Sequence, residues 1–299
     1  VWDDRLIKKV MKDSDSSFSS SGNIIAFKNN INSQNIRNIL NQKLNKSIEV
    51  NANYISYIWE CIDLFKSIIV IDIKNLDNKS ISEFNDVVML NKNQIFKDNT
   101  SIIESGSILD ASKGPIILAE NVLIESGAIL KGPLFIDKNS IISNGSKLKG
   151  NILIGPNCKI GGEVTNTIFH GYTNKVHDGF LGNSYIGEWV NFGANTNNSN
   201  LKNNYSSIKF NFQRETIDTK KIFLGVMIGD FTRLGISTMI NTGSYFGLGC
   251  NIFGSGFQDK YIESFAWGRD SIVDFEKLIE TIKLMKDRRS KKLTNIEIK

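Results

Sequence analysis

Large aliphatic residues recur at every sixth position through the middle of the chain. The first series has no gap: Leu118, Ile124, Leu130, Ile136, Ile142, Leu148, Ile154 and Ile160. The second series lies four positions after each member of the first and is mostly small or β-branched: Val122, Ala128, Leu134, Ser140, Ser146, Ile152, Cys158 and Val164. A period of six fits neither an α-helix, with its period of 3.6, nor a single strand, with its period of two. It predicts a solenoid in which each hexapeptide forms one short strand and a corner.

The same period returns toward the C-terminus. Its members there are Ile222, Ile228, Leu234, Ile240, Phe246 and Ile252. The interval from Ile160 to Ile186 is not a multiple of six, whereas Ile186, Phe192 and Ile222 share one phase. This slip and the long gap before Ile222 predict two inserted loops. Three hexapeptide faces would give a triangular coil of about 18 residues, with each buried aliphatic side chain contributing roughly 1.5–3 kcal/mol.

Residues 1–99 lack the six-residue period and contain patches typical of helices and strands. Asn35–Leu44 predicts a short helix, and Lys66–Lys74 contains the run Ile68–Ile71, which predicts a buried strand. Ser14–Gly22 is rich in serine and predicts a flexible loop. We therefore expect a separate domain ahead of the repeats.

At the other end of the chain, Asp270–Arg289 has apolar residues near helical spacing and ends in basic residues. This pattern predicts a helix packed on the last coil. The expected organisation is a domain over residues 1–99, a β-helix over residues 100–267 and a helical tail over residues 268–299.

The composition is that of an ordinary globular protein. Of the 299 residues, 40% are hydrophobic and 22% are charged, and the net charge is +5. The 36 basic and 31 acidic residues are spread along the chain, so no nucleic-acid partner is expected. Cys61, Cys158 and Cys250 form no CxxC pair, which favours a reducing cytosol over disulfides or a cysteine-rich zinc site. Cys158 and Cys250 stand at inward positions of the period, which predicts packing roles for both.

Neither a membrane partner nor a secretory signal is expected. No apolar run approaches the roughly 20 residues that a transmembrane helix needs, and no signal-peptide pattern is visible. Because the chain starts with Val1 instead of methionine, we expect it to begin inside a longer reading frame.

The chain has two histidines, His170 and His177, and both fall in the first predicted insertion. Imidazole titrates near neutral pH and is the commonest general base for taking a proton from an attacking group. A solvated loop histidine is the plain alternative for either residue. His177 is the stronger candidate because it opens the segment HDGFLGN, which leads directly into IGEWVNFGA at Ile186–Ala194.

These two segments resemble the acetyltransferase half of the bacterial bifunctional UDP-N-acetylglucosamine pyrophosphorylase/glucosamine-1-phosphate N-acetyltransferase family. The resemblance also includes Gly171–Lys175 and continues through three later segments, Thr196–Tyr205, Gly235–Gly243 and Asn251–Phe257. It covers about residues 100–290 and implies a mainly β fold class. Specifically, it implies a left-handed parallel β-helix preceded by the rear part of an α/β nucleotidyltransferase-like domain and followed by a C-terminal helix.

The resemblance also implies roles for individual residues. His177 would be the catalytic base, and His170 would be structural. The residues implied to bind the sugar phosphate are Lys149, Phe180 and Asn191, and those implied to bind acetyl-CoA are Ala194, Asn200, Ile236 and Gly254. Phe180 stands where the family usually has a hydroxyl-bearing aromatic residue, and Thr167 stands where it has a second lysine. Ordinary coil corners are the alternative for Ile236 and Gly254, and no metal site is implied.

The function implied by the resemblance is acetyl-CoA-dependent N-acetylation of an amino sugar 1-phosphate, glucosamine 1-phosphate, in UDP-N-acetylglucosamine synthesis. The enzyme would be a cytoplasmic homotrimer with acetyl-CoA as co-substrate. Mg²⁺ is expected only if a complete nucleotidyltransferase domain lies upstream, since this chain lacks the glycine-rich loop that would hold a nucleoside triphosphate.

Three other functions are compatible with a hexapeptide solenoid. The first is a sugar-1-phosphate nucleotidyltransferase, acting for example on glucose 1-phosphate, whose β-helix serves mainly trimerisation. The second is a zinc carbonic anhydrase with three histidine ligands, for which the two histidines of this chain are too few. The third is a noncatalytic scaffold that only builds a trimer.

Overall fold

The computed structural model describes residues 17–20, 23–27, 47–50, 55–72 and 86–298. The chain divides into two compact units between Tyr57 and Ile58. The first unit contains a three-stranded sheet whose members are Ser17–Ser20, Asn23–Phe27 and Ser47–Glu49. The first strand pairs antiparallel with the second and parallel with the third.

The serine-rich segment Ser14–Gly22, predicted to be a loop, thus contributes the central strand of this sheet. Phe18 is fully buried, and the Ser19 hydroxyl donates a 2.6 Å hydrogen bond to the Glu49 carboxylate. A buried aromatic residue and a cross-strand hydrogen bond order this short polar strand. The helix predicted at Asn35–Leu44 lies outside the described residues.

The second unit begins with helix α1, Glu60–Asp72, where a buried strand was expected within Lys66–Lys74. The β-branched run Ile68–Ile71 favours a strand by propensity. The helix, however, buries Ile62, Phe65 and Ile69 at the spacing of one helical face, while Val70 and Ile71 are exposed. Packing against the solenoid, including Ile117 and Ile168, therefore overrides the local propensity.

The hexapeptide repeats form a three-sided parallel β-helix, and we name its faces A, B and C in the order in which each coil visits them. Face A contains Val88–Leu90, Ile108–Asp110, Ile129–Lys131, Lys147–Lys149, the first parts of Glu163–Gly171 and Phe180–Glu188, Asn197–Asn198 and Met239–Ile240. Face B contains Ile95–Lys97, Ile116–Leu118, Leu134–Ile136, Ile152–Ile154, the later parts of Glu163–Gly171 and Phe180–Glu188, Val226–Ile228, Ser244–Phe246 and Tyr261–Ile262. Face C contains Ile102–Ile103, Leu123–Ile124, Ile141–Ile142, Lys159–Ile160, Asn174–Lys175, Asn191–Phe192, Arg233–Leu234, Asn251–Ile252 and Ala266–Trp267, with Ser271–Ile272 added antiparallel.

The core confirms the six-residue period. Every member of the two series from Leu118 to Val164 is buried, and all of them belong to one continuous apolar cluster apart from the serines Ser140 and Ser146. The coils stack in register, so Ile124 lies beside Ile142 and Ile142 beside Ile160. The predicted class, a mainly β protein with a parallel β-helix and a C-terminal helix, is confirmed. The β-helix starts at Val88, ahead of the expected boundary at residue 100, because the 3₁₀ turn Lys92–Gln94 disturbs the period in the first coil.

The prediction of the first insertion is wrong. Ile160 pairs with Lys175 on the next coil, and Asn174 pairs with Asn191 on the coil after that. Both coils are shorter than the regular coil that separates Ile142 from its partner Ile160. Two shortened coils therefore cause the register slip, and His177 lies at a corner of the solenoid and not in an inserted loop.

The second predicted insertion exists and occupies residues 201–223. It carries the antiparallel hairpin Lys209–Phe212 and Glu215–Asp218. Ile222, which the period placed inside the solenoid, belongs to this insertion and is 47% exposed. The regular coil resumes at Val226, which is fully buried.

The C-terminal helix is confirmed as α2, Phe275–Asp287, and the short helix α3, Asn295–Ile298, follows it. The Asp274 side chain caps α2 by accepting a hydrogen bond from the Lys277 amide. Leu278 and Ile282 lie on the buried side of α2 and cluster with Val273, which precedes the helix. None of the helices among the described residues has the length and apolar character of a membrane span.

Candidate functional site

The corner that joins face C to the next face A carries four of the predicted site residues in one row. Each of them follows the inward residue of a face-C strand by two positions, and those strands pair in register. The row consists of His177, Ala194, Ile236 and Gly254. Backbone hydrogen bonds join successive corners, from the Asn195 amide to the Asp178 carbonyl at 3.0 Å and from the Ser237 amide to the Ala194 carbonyl at 2.7 Å. The predicted base and three predicted acetyl-CoA contacts thus share one edge of the solenoid.

The row is open at the surface. The His177 side chain is exposed, and so is Ile236, at 78%. A Cβ atom added to Gly254 would have no neighbour within 4 Å, although its φ of +114° favours glycine. An exposed imidazole therefore stands at one end of a row that continues with small and apolar residues.

Lys175 is a buried cation directly behind this row, and no role was predicted for it from the sequence. It occupies the inward position of face C, beside Ile160, and is 2% exposed. Its ammonium donates hydrogen bonds to the carbonyls of Gly161 at 3.0 Å and His177 at 3.1 Å. Burial lowers the pKa of Lys175 to about 8, while the negative charge of Asp178 acts in the opposite direction. Lys175 thus anchors the main chain of the corner that carries His177.

Phe180 and Asn200 come together on face A, next to the His177 corner. A Cβ atom on Gly182 would lie 2.7 Å from the Phe180 ring and 2.8 Å from Nδ2 of Asn200, so a side chain at position 182 would have to displace them. The Phe180 amide donates to Oδ1 of Asn197 at 2.7 Å, and the Asn200 side-chain amide donates to Oδ1 of Asn183 at 2.8 Å. Hydrogen bonds therefore fix the positions of both predicted contacts.

Lys149, the predicted phosphate contact, lies on face A but already has an anionic partner. Its ammonium is 2.7 Å from the Glu163 carboxylate. Thr167, at the position of the second family lysine, is fully buried, and its hydroxyl donates to the Thr165 carbonyl at 2.8 Å. It supplies no charge to face A.

Asn191 and His170 lie away from this face. Asn191 is on face C, where its Oδ1 accepts a 2.9 Å hydrogen bond from Asn174, and it lines a cavity under α2. His170 follows the face-B residue Phe169, with its Nδ1 3.9 Å from a Glu188 carboxylate oxygen. The structure therefore brings Phe180 and Asn200 together around Gly182 on the face that follows the His177 corner, and it places Asn191 and His170 on other faces.

The cysteines Cys158 and Cys250 are buried in the solenoid, in agreement with the packing roles predicted for them. Burial raises the pKa of the Cys158 thiol to about 12, so it stays protonated at neutral pH. Within the described parts of the chain, no three His, Cys, Asp or Glu side chains are grouped so that they could hold a metal ion.

The fold and the corner row define a hexapeptide-repeat β-helix with an exposed histidine at one edge. Proteins related to part of this chain are bifunctional transferases, as the resemblance predicted. Over 118 residues, or 39% of this chain, it is 35% identical to the bifunctional protein GlmU of Methanocaldococcus jannaschii, covering 28% of that protein. Over 91 residues, or 30% of this chain, it is 32% identical to the bifunctional sugar-1-phosphate nucleotidylyltransferase/acetyltransferase of Sulfurisphaera tokodaii, covering 23% of that protein.

The similarity to these relatives is partial, since the chain matches less than a third of their length. No protein-family model matches the chain. Among solved structures, UDP-N-acetylglucosamine acyltransferase from Campylobacter jejuni aligns with 68% of this chain and 93% of its own, at 16% identity and a TM-score of 0.30.

Proposed function

We propose that the protein is an acetyl-CoA-dependent N-acetyltransferase that acts on an amino sugar 1-phosphate. The observation that carries this proposal is the row at the C-to-A corner, in which an exposed imidazole is followed by Ala194, Ile236 and Gly254. The names of the relatives, a bifunctional GlmU and a nucleotidylyltransferase/acetyltransferase, support it.

The chemistry needs one base and one oxyanion stabiliser. The amine nitrogen of the sugar attacks the thioester carbonyl, so that a C–N bond forms and the C–S bond breaks. His177 takes the proton that the amine loses, and the thiolate of coenzyme A leaves as the thiol once it is protonated. A main-chain N–H of the coil stabilises the oxygen that becomes negative in the transition state.

The row has the dimensions for a long, thin co-substrate. Neighbouring strands lie about 4.8 Å apart, so Gly254, three coils from His177, is about 14 Å away from it along the solenoid. The exposed apolar side chain of Ile236 lies between them. The acetyl group would therefore be placed near His177 and Asn200, with the rest of acetyl-CoA along Ala194, Ile236 and Gly254.

The substrate class is the less strongly supported part of the proposal. Phe180 and Asn200 flank Gly182 on the face that follows the His177 corner, where we place the amino sugar, whereas Lys149 is paired with Glu163 and must leave it to contact a phosphate. We propose glucosamine 1-phosphate as substrate because the relatives' names combine sugar 1-phosphates with acetyl transfer. The co-substrate acetyl-CoA fits a cytoplasmic location.

A homotrimer would complete the site. Several large apolar side chains are exposed around the later part of the row, namely Ile236, Met239, Phe253 and Phe257. Exposed apolar patches of this kind mark interfaces, and a second subunit placed there would exclude water from the open corner. Sedimentation equilibrium should then give three chains per particle, and a monomer at micromolar concentration would contradict this part of the proposal.

The test of the proposal is thiol release from acetyl-CoA in the presence of glucosamine 1-phosphate. His177→Ala should lower kcat by roughly 10²-fold or more while the KM for acetyl-CoA changes little, since the base acts in the chemical step. His170→Ala is the matched control and should retain most of the activity. Equal rates for the wild type and His177→Ala would refute the mechanism, and no thiol release by the wild type would favour a noncatalytic solenoid.

A further inference from the structure

A second candidate site lies under the C-terminal helix, on the edge of face C opposite to His177. There α2 and the segment that follows it cover a cavity of about 330 Å³ on face C. The face-C residues in its wall include Lys159, Asn191 and Arg233, and the helical segment adds Arg288 and Arg289. The cavity is therefore formed by two elements that lie far apart in the sequence.

The wall of this cavity is strongly cationic. It contains four positive side chains, Lys159, Arg233, Arg288 and Arg289, and no aspartate or glutamate. Within the part of the chain that the structure describes, none of the four forms an ion pair. The carboxyl end of α2 is also near, but its partial charge of about −0.5 is small beside four full positive charges.

Arg233 has a buried donor without an acceptor. Its Nε atom is inaccessible to solvent and makes no hydrogen bond, and the same is true of Nδ2 of Asn251, its register partner on the neighbouring coil. Burial lowers the pKa of Arg233, and no anionic group offsets this effect. A buried charged side chain without an anionic partner is costly, so this arrangement favours an anionic ligand at the Arg233 guanidinium.

Stacked aromatic rings form another part of the wall. Tyr172 and Trp189 stack with their ring centroids 4.2 Å apart and their planes 8° from parallel, and Phe231 continues the stack beyond Trp189. All three residues have positive φ, between +53° and +60°, at a corner where Asn139 and Asn157 take this conformation in earlier coils. Asparagine tolerates the left-handed region, whereas large aromatic residues adopt it at a cost. The corner thus bears backbone strain that places aromatic rings beside the cations.

We propose that this cavity binds the phosphoryl group of a small phosphorylated molecule, with the guanidinium of Arg233 as its central contact. Guanidinium groups match phosphate oxygens in geometry and bind them through paired hydrogen bonds. Lys159, Arg288 and Arg289 would neutralise the remaining charge, and the volume suffices for a phosphate ester of a small sugar. Neither acetyl transfer nor His177 is needed for this binding, so the site goes beyond the proposed function.

The experiment is isothermal titration calorimetry of the full chain with inorganic phosphate and with ribose 5-phosphate, using ribose as the uncharged control. Saturable binding is expected for both anions and not for ribose. Tighter binding of ribose 5-phosphate would identify a phosphate ester as the preferred ligand, and equal binding would identify free phosphate; either result supports the site.

Two variants and one matched control locate the binding. Arg233→Met should weaken it by roughly 10- to 100-fold and Arg289→Ala by several-fold, since hydrogen bonds to charged groups contribute about 1.5–3 kcal/mol. Arg214→Met removes the same charge from the exposed hairpin turn and should change the affinity by less than twofold. Because Arg233→Met could perturb folding, circular dichroism accompanies each titration, and Arg289→Ala, beyond the end of a helix, provides an independent test. No saturable heat with either anion at millimolar concentration, or wild-type affinity in both cavity variants, would overturn the proposal.

Discussion

The buried ammonium of Lys175 should make the β-helix more stable as the pH rises above neutrality. Its pKa falls from 10.5 in the unfolded chain to about 8 in the folded one, so between these values the unfolded state binds more protons. Stability increases with pH wherever the unfolded state is the more protonated one. The gain therefore begins near pH 8 and is complete near pH 10.5.

The size of the effect follows from the two pKa values. The difference between 10.5 and about 8 corresponds to about 3 kcal/mol, which is the cost of burying the charged ammonium at low pH. Between pH 7 and pH 9 the free energy of unfolding should rise by about 1.4 kcal/mol on account of this one residue. The buried thiol of Cys158, with a raised pKa, has the opposite sign, because stability is lost as pH rises above its unfolded value near 9.

A difference measurement separates Lys175 from all other titrating groups. Urea unfolding of the wild type and of Lys175→Met is followed by circular dichroism at pH 7, 8 and 9. The stability difference between them should shift in favour of the wild type by about 1.4 kcal/mol across this range. Lys147→Met, at an exposed position of face A, is the control and should show no such shift. A pH-independent difference between the wild type and Lys175→Met would refute the reasoning.

Two further predictions test the solenoid core and the site. Ile160→Ala, at a fully buried position of the stack, should lower the free energy of unfolding by about 2–5 kcal/mol, whereas Ile222→Ala in the exposed insertion should change it by less than about 0.5 kcal/mol; equal urea midpoints would contradict the assignment of Ile222 to the insertion. Gly182→Ala should displace the side chains of Phe180 and Asn200 and lower the rate of thiol release by about tenfold or more, because small misplacements of positioning groups are costly. An unchanged rate would show that Phe180 and Asn200 take no part in the reaction.

The period in the sequence predicted the β-helix well because burial in a solenoid has a simple rule. Every inward position recurs at a fixed interval, and a polar residue there is tolerated only if its hydrogen bonds are satisfied, as for Ser140, whose hydroxyl donates to the Gly155 carbonyl. The same rule fails outside the coils. The run Ile68–Ile71 has the composition of a strand. It forms a helix because the helical conformation packs Ile69 against Ile117 and its neighbours.

The candidate site was predictable in part. The family resemblance pointed to His177, Ala194, Ile236 and Gly254, and the corner row brings them to one edge. No motif could show that Lys149 is paired with Glu163, that Asn191 faces another cavity, or that α2 brings Arg288 and Arg289 over Arg233. These are contacts between distant segments, and their geometry depends on how the coil and the helix pack.

The most informative departure from the period is the pair of shortened coils, whose register slip had predicted an insertion. Shortening places Lys175 in the stack between Ile160 on one side and Phe192 on the other, so a cation replaces an aliphatic side chain inside the core. Its ammonium joins the His177 and Gly161 carbonyls, which an aliphatic side chain at that position could not do. Local rules of a fold are broken most often where function demands it. The coils that depart from the repeat carry the predicted base, its buried anchor and Tyr172 and Trp189 of the cationic cavity, so both proposed sites draw on the least regular part of the solenoid.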